Sequence, residues 1–360
     1  MDPSPPCLSF IGIVDFSQEA KWIYMTPSVT DLLGYEPNEL IGKPSLPLVH
    51  PDEYPRVKQL HYDTIQLDKA ACLVYLRMRH KDPYKGYILC GISRTVVHNV
   101  LVGSVSFAQP GAKALQNAST ATEITVLTPN ATNFEFRRWN DPSPIALDPM
   151  PPSMNSPASP TPSSPTWVPS SPGSSRSDSQ DRSPTPDRDP GHLNFDNLTF
   201  QSYRTAFILN RFSVNCTIEY CTNDFFLRTM DAIGRPFFDF VIKKDEDVVR
   251  SWIDCVKGWG VNERGQPSDG GFGFGKFTLI PKGRDSTERV PEPSPTRHRH
   301  GSNSISRARP TRAHVSRAER LVEQHRVDQS SRESPMPMLV DAIFSAHSDG
   351  LMVILRRATP

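Results

Sequence analysis

YMTPSVTDLLGYEPNELIGKPSLPLVHPDEYPRVKQLH, from Tyr24 to His61, is the stretch that decides the fold of this chain. Its first half predicts two short helical turns, over Pro27–Leu33 and Pro37–Leu40. Each of these apolar runs is followed by a glycine, Gly34 or Gly42, which is the usual signal for the end of a helix. We therefore expect short helices here rather than a strand.

A longer helix is predicted after the HPDE motif at His50–Glu53. Asp52 supplies a capping side chain, and the acidic residues complement the positive end of the helix dipole. The helix would carry its contacts on one stripe, formed by Val57, Leu60, Thr64 and Leu67.

Five β-rich runs flank these helices. They are Leu8–Phe16, Trp22–Met25, Cys72–Arg79, Tyr87–Val97 and Leu101–Phe107. The connections between neighbouring runs are too short for parallel crossovers. An antiparallel sheet in an α+β fold is therefore predicted.

The same order of elements recurs further along the chain. The predicted strands are Tyr203–Asn210, Cys216–Tyr220, Phe272–Ile280, Met338–Ala346 and Leu351–Arg356. A short helix is predicted over Asn223–Met230, and a longer one over Asp245–Val256, ended by Gly258. The stripe of the longer helix would be Val248, Val249, Trp252 and Val256.

The segment GGFGFGKFT, Gly270–Thr278, resembles a phosphate-binding loop. Such a loop needs a helix directly after its lysine, so that free backbone amides face the phosphate. Lys276 is instead followed by an extended pattern that ends in proline. We predict a strand, in which Gly273 and Gly275 admit a close neighbour, and no nucleotide site.

These motifs resemble the Per-Arnt-Sim (PAS) family, with SVTDLLGYEPNELIGK followed by HPDE as the main match. The resemblance implies two PAS-like domains, each a five-stranded antiparallel sheet with short helices on one face, joined by a disordered linker. It also implies a cavity between sheet and long helix, and a second sheet face that binds a flanking helix or a partner. The tandem order is similar to that of fungal PAS-containing regulators.

Composition sets the expected boundaries. With 36 prolines and only 37% hydrophobic residues, much of the chain is predicted to lie outside a packed core. We expect a first domain over 7–108, an extension over 109–138, and a disordered Pro/Ser-rich linker over 139–198. The second domain would span 199–358 and contain a disordered Arg-rich insertion over 281–336.

Several functional classes lack support in the sequence. No recognised motif of hydrolases, kinases or zinc sites is present, so we expect no enzymatic activity. No apolar run approaches the ~18 residues of a membrane span, which favours a protein of the nucleus or cytoplasm. The net charge of +1 gives no general attraction to nucleic acid, and a DNA-binding module would have to come from a partner.

No cofactor is required by the sequence, and none can be named from it. Covalent flavin photochemistry is disfavoured, because the resemblance implies a cysteine just before the long helix and IGKPSLPLVHPDE has none. His61 is a candidate haem ligand, since histidines on this helix bind haem in some PAS domains. The alternative is a half-buried or hydrogen-bonded histidine.

Two functions stay open at this point. The first is a signalling or transcription-associated regulator that pairs its apolar sheet faces or edges with another PAS-domain protein or with itself. Its candidate sheet positions are Ile11, Ile13, Tyr87, Leu89 and Val105. The second is a sensor of a small molecule, haem or non-covalent flavin in the cavity of the first domain.

The predicted disordered segments carry candidate control sites. Proline-directed phosphorylation would make the linker acidic. Its candidate sites are Ser156, Ser159, Thr161, Ser164, Ser171, Ser183 and Thr185. A basic cluster that a nuclear import receptor could bind consists of Arg297, Arg299, Arg307, Arg309 and Arg312. The alternatives are a semi-extended spacer and a solvated loop.

Overall fold

The computed structural model of the protein describes residues 8–131, 134, 193–195, 198–262, 264–284 and 336–359. We call residues 8–131 the first lobe and the described residues from 198 onward the second lobe. Each lobe is built on one β-sheet, so the predicted mixed α+β class is confirmed. The predicted domain boundaries stay predictions.

The candidate control sites cannot be placed on this framework. All of them lie outside the described residues: Ser156, Ser159, Thr161, Ser164, Ser171, Ser183, Thr185, Arg297, Arg299, Arg307, Arg309 and Arg312. Phosphorylation and nuclear import therefore stay predictions.

The first lobe folds in the predicted order of elements. Its strands are β1 (Ser9–Asp15), β2 (Trp22–Met25), β3 (Cys72–Arg79), β4 (Tyr87–Val97), β5 (Val100–Phe107) and β6 (Glu123–Val126). Its helices are α1 (Val29–Leu33), α2 (Pro37–Leu40), α3 (Tyr54–Gln66) and α4 (Ala112–Thr120), with 3₁₀ turns at Leu46–Leu48 and Pro129–Ala131. The strand order in the sheet is β2-β1-β5-β4-β3-β6.

The second lobe repeats this arrangement. Its strands are β7 (Arg204–Leu209), β8 (Ile218–Cys221), β9 (Gly273–Leu279), β10 (Met338–Ala346) and β11 (Leu351–Arg357). Its helices are α5 (Thr229–Ala232) and α6 (Lys243–Trp259), with a 3₁₀ turn at Phe237–Phe240. The strand order is β8-β7-β11-β10-β9, so β9 pairs directly with β10 although the residues over 281–336 separate them in the chain. If the strands are numbered separately within each lobe, both sheets have the strand order 2-1-5-4-3, and the first sheet has a sixth strand next to strand 3.

Sequence predictions of the strand count, of α5 and of the end of α6 were wrong. The first sheet has six strands rather than five, because β6 pairs with β3 in parallel. The short helix expected over Asn223–Met230 instead spans Thr229–Ala232, toward the C-terminal end of the predicted range and beyond it. Helix α6 continues through Gly258, where a side chain would meet open space, and ends at Gly260.

The long helix α3 begins without the predicted side-chain cap. Glu53, at its start, instead accepts hydrogen bonds from the backbone N–H and side chain of Arg77, at 2.7 and 2.6 Å. The buried stripe also differs from the prediction: Leu67 is 65% exposed, whereas His61 and Ile65 are buried. This rotation of the helix places His61 toward the sheet.

The glycine-rich segment forms strand β9, as predicted, and packs closely against α6. A Cβ atom on Gly275 would lie 2.4 Å from the ring of Trp252, and one on Gly273 would lie 2.6 Å from Val256. The glycines therefore let the helix approach the sheet, which excludes the phosphate-loop conformation for this segment.

The outer faces of the two sheets pack against each other. A buried apolar cluster joins β1, β4 and β5 to β7 and β11; it consists of Ile11, Ile13, Val97, Val100, Val102, Ala206, Ile208, Met352 and Ile354. At its edge Tyr24 stacks on Tyr220, with ring centroids 4.4 Å apart. Arg204 closes another edge through an ion pair of 2.6 Å to Asp68. The two lobes thus share a buried core.

The described helices include none that is both long and apolar enough to cross a membrane.

Candidate functional site

A cavity of about 90 Å³ lies between α3 and the inner face of the first sheet. Four residues face each other across β1, β5, β4 and β3, and the first three of them line the cavity: Gly12, Gly103, Arg94 and Cys72. Elsewhere on this face the strands carry large apolar side chains that fill the core. Gly103, the partner of Arg94 on β5, lies close to the backbone of β4, and the ring of Trp22 covers Gly12.

Arg94 is the most unusual residue of this cavity. Its side chain is buried, and its Nε–H has no hydrogen-bond partner among the described residues. Burial lowers the pKa of the guanidinium to about 10, so it stays charged at neutral pH. A buried charge without a hydrogen-bonded counter-ion is strongly unfavourable.

A second unpaired donor lines the same cavity. The indole Nε1–H of Trp22 is buried and finds no acceptor within the described part of the chain. Its ring lies over Gly12, where a Cβ atom would come within 2.5 Å of it, and is tilted against Phe10. The cavity therefore offers two hydrogen-bond donors and has apolar walls.

His61, the candidate haem ligand, borders the cavity. Its Nε2 lies 3.2 Å from the carbonyl oxygen of Ser17 and therefore donates a proton to it. Burial, and next the charge of Arg94, lower the pKa of His61 to about 4. The imidazole is neutral at physiological pH, and the nitrogen with which a histidine would bind haem is engaged by the backbone.

Metal binding finds no further support. Within the described ranges, no cluster of three or more His, Cys, Asp or Glu side chains is arranged to hold a metal ion. His50 accepts a hydrogen bond from the backbone N–H of Asp52 at 3.3 Å and contacts the ring of Tyr87 edge-on. These contacts place His50 in the loop that enters α3.

A wider groove of about 470 Å³ lies between α4 and the second lobe. Its charged groups are paired within the chain: Lys113 donates to the carbonyl oxygens of Trp259 and Val261, and Asp269 accepts from Ser106 at 2.6 Å. These contacts join the two lobes, and the groove therefore belongs to the junction between them.

The structure also brings together Ser345, His347 and Asp269, a combination that the sequence did not reveal. Ser345 donates its hydroxyl to the carbonyl oxygen of Gly271 at 2.8 Å, so at 2.9 Å it accepts from Nε2 of His347. This is the reverse of the direction that a nucleophilic serine requires. Asp269 is 3.9 Å from the imidazole, and all three side chains are buried. The three side chains lie in the second lobe near the junction, and Nδ1 of His347 has no hydrogen-bond partner among the described residues.

A family model described as the PAS fold matches residues 22–86, which span β2 to the turn before β4 and include α3 above the cavity. Residues 22–86 form a PAS fold domain. The PAS fold is a sensory one, and the cavity with Arg94 and His61 lies between its helix and its sheet.

Three of the solved structures that are similar to this chain come from two bacteria and an insect. The PAS domain of the RpfR quorum-sensing receptor of Cronobacter turicensis, in complex with BDSF, is 17% identical and covers 30% of this chain and 100% of its own, with a TM-score of 0.26. The PAS-B domain of Drosophila melanogaster Cycle, with bound ethylene glycol, is 19% identical and covers 28% and 99%, with a TM-score of 0.24. The Rhodobacter sphaeroides LOV protein is 17% identical and covers 30% and 65%, with a TM-score of 0.26. The chain has no match among the curated proteins.

The predicted sheet positions separate onto the two faces of the PAS sheet. Ile11 and Ile13 lie on the outer face, in the core between the lobes. Leu89 packs on the same face near α4, whereas Val105 points into the inner core. Tyr87 is partly exposed at the edge.

Arg94 and Trp22 were missed as site residues. A signal for Arg94 was present: in the inward-facing series Cys90, Ile92, Arg94 and Val96, it is the one charged side chain. No comparable signal marks Trp22, because an indole in a strand is an ordinary core residue.

Proposed function

We propose that this protein is a non-enzymatic signalling regulator with two PAS domains, of which the first senses a small molecule. The observation that carries the proposal is the cavity of the first lobe, where two buried donors lack partners among the described residues. Most buried polar groups in proteins are hydrogen-bonded, and exceptions call for a ligand or ordered water. A bound molecule would supply the missing acceptors.

The tandem arrangement is supported by the repeated strand order of the two sheets. Equivalent residues also meet at the junction. Tyr24 and Tyr220 are each the third residue of the second strand of their lobe, and they stack on each other. Such a contact between corresponding positions is typical of an approximate two-fold relation.

The buried junction gives a route from sensor to output. Strands β4 and β5 present one face to the cavity and the other to β7 and β11 of the second lobe. A ligand that shifts the sheet would change packing on both faces, because close-packed cores transmit small displacements. We propose that the second lobe reads the state of the first in this way.

Association with another PAS-domain protein or with a second copy is the second candidate function. It is favoured by exposed aromatic side chains at the rim of the junction, where Phe200, Tyr203 and Phe225 contact one another and His98. The outer sheet faces are already buried between the lobes, so a partner would use this cluster or a sheet edge. A role in transcription, a nuclear location, regulation by phosphorylation and a kinship with fungal regulators belong to the same proposal.

Native mass spectrometry of the intact chain tests the sensor proposal. Wild-type protein purified from cells should carry an additional mass that denaturation releases. Val105→Phe, which fills the cavity from a buried wall position, should lose it. Ile23→Ala, at an exposed position of β2, should keep it. A bare wild-type protein, or equal occupancy in Val105→Phe, would contradict the proposal.

A further inference from the structure

The cavity of the first lobe has a definite chemical preference. Arg94 contributes a charged guanidinium and Trp22 an indole N–H, and both groups donate hydrogen bonds without accepting them. A matching ligand must therefore present acceptors, and a negative charge would also neutralise Arg94. We propose that the cavity binds a small monocarboxylate, whose oxygens accept hydrogen bonds from Arg94 and Trp22. This inference rests on the proposed sensor function.

Among the described residues, Arg94 has no ion-pair partner. The ionisable groups that raise the pKa of Arg94 are Cys72 and Glu123. Both carboxylate oxygens of Glu123 are taken up by Lys69, at 2.7 and 2.8 Å. Burial raises the pKa of Cys72, so its thiol stays protonated at neutral pH. Neither group neutralises the guanidinium, and a carboxylate from outside would.

The rest of the cavity restricts the ligand further. Its walls include Leu76, Met78 and Val105, which suit a short alkyl chain. Neutral His61 adds no second cation. A volume of about 90 Å³ lies below the ~300–1,000 Å³ of drug-sized sites, so the ligand should be a short-chain acid. A dicarboxylate would bury a second charge without a partner.

The test compares butyrate with butyramide, which has a similar shape and no charge. Isothermal titration of the full chain at pH 7.5 should show butyrate binding at least tenfold more tightly. Arg94→Met should abolish this preference, and Trp22→Phe should weaken butyrate binding. Arg79→Met is the matched control, since Arg79 is an exposed arginine at the end of β3, and it should leave the preference intact.

The stability of the free protein gives a second readout. Without added ligand, Arg94→Met should melt no lower than wild type, because it removes a buried charge that lacks a partner. A variant that merely failed to fold would have a lower melting temperature and would bind neither butyrate nor butyramide. An unchanged preference for butyrate in folded Arg94→Met, at any melting temperature, would overturn the inference.

Three outcomes separate this inference from the sensor proposal. Preferential binding of butyrate through Arg94 supports both. Equal binding of butyrate and butyramide, or a neutral molecule released from the purified protein, overturns the carboxylate inference and leaves the sensor proposal standing. Failure of both probes to bind, together with a bare native mass, overturns both.

Discussion

Truncation of Ile11 to alanine would measure how strongly the two lobes hold each other. Ile11 is completely buried, and its Cδ1 would lie 3.0 Å from a Cβ atom on Gly350 of the second lobe. Ile11→Ala removes three carbon atoms, a transfer term of about 2.4 kcal/mol at ~0.8 kcal/mol each. The cavity left behind adds to this, so the total should be about 3 kcal/mol.

Urea unfolding of the full chain is the assay, followed by far-ultraviolet circular dichroism. If the lobes were separate, Ile11 would lie on an open sheet face, and its truncation would cost less than ~1 kcal/mol. Ile23→Ala, at an exposed position, should lower the free energy of unfolding by less than ~1 kcal/mol whether or not the lobes pack together. Ile208 also approaches Gly350, so Ile208→Ala should couple to Ile11→Ala by at least ~0.5 kcal/mol. A cost below ~1 kcal/mol for Ile11→Ala, with additive effects, would refute the packing of the lobes.

Three further predictions concern other contacts. Gly275→Ala forces a methyl group into the ring of Trp252 and should destabilise the protein by ~1–3 kcal/mol, whereas Gly258→Ala should stabilise it by up to ~1 kcal/mol, as thermal denaturation would show. In the folded protein the pKa of His61 is about 4, whereas an exposed histidine in the unfolded chain has a pKa of 6.5. The unfolded state therefore binds more protons than the folded state as the pH falls through 6.5. Wild type should therefore lose about 2 kcal/mol more than His61→Gln between pH 7.5 and 5, and equal losses in denaturant titrations would exclude this role. Arg204→Met removes a buried ion pair between the lobes and should cost about 2 kcal/mol by urea unfolding, so a change below ~0.5 kcal/mol would be inconsistent with that contact.

The sequence predicted most strands of both sheets, because alternation and turn residues are local signals. Cys72–Arg79, Tyr87–Val97 and Met338–Ala346 occur with the predicted bounds. Strand β6 was missed because its four residues are mixed in polarity, and only pairing with β3 defines them as a strand. Gly258 was misread as a helix end, since tertiary packing of α6 outweighs the local preference of one glycine.

The site was harder to predict than the fold. His61 was recognised on its helix, although the stripe expected around it was rotated. Two residues that line the cavity, Gly12 and Gly103, are paired across strands that are distant in the chain. That register follows from long-range pairing, so the sequence could not show that Arg94 would line a cavity with Trp22.

A crystal structure of the full chain, purified without added carboxylates, would test the central claim most directly. The account predicts electron density in the cavity of the first lobe, with an acceptor atom about 2.7–2.9 Å from Nε of Arg94. A cavity closed by side chains, or an Arg94 guanidinium paired with a carboxylate of the chain such as Glu123, would contradict it.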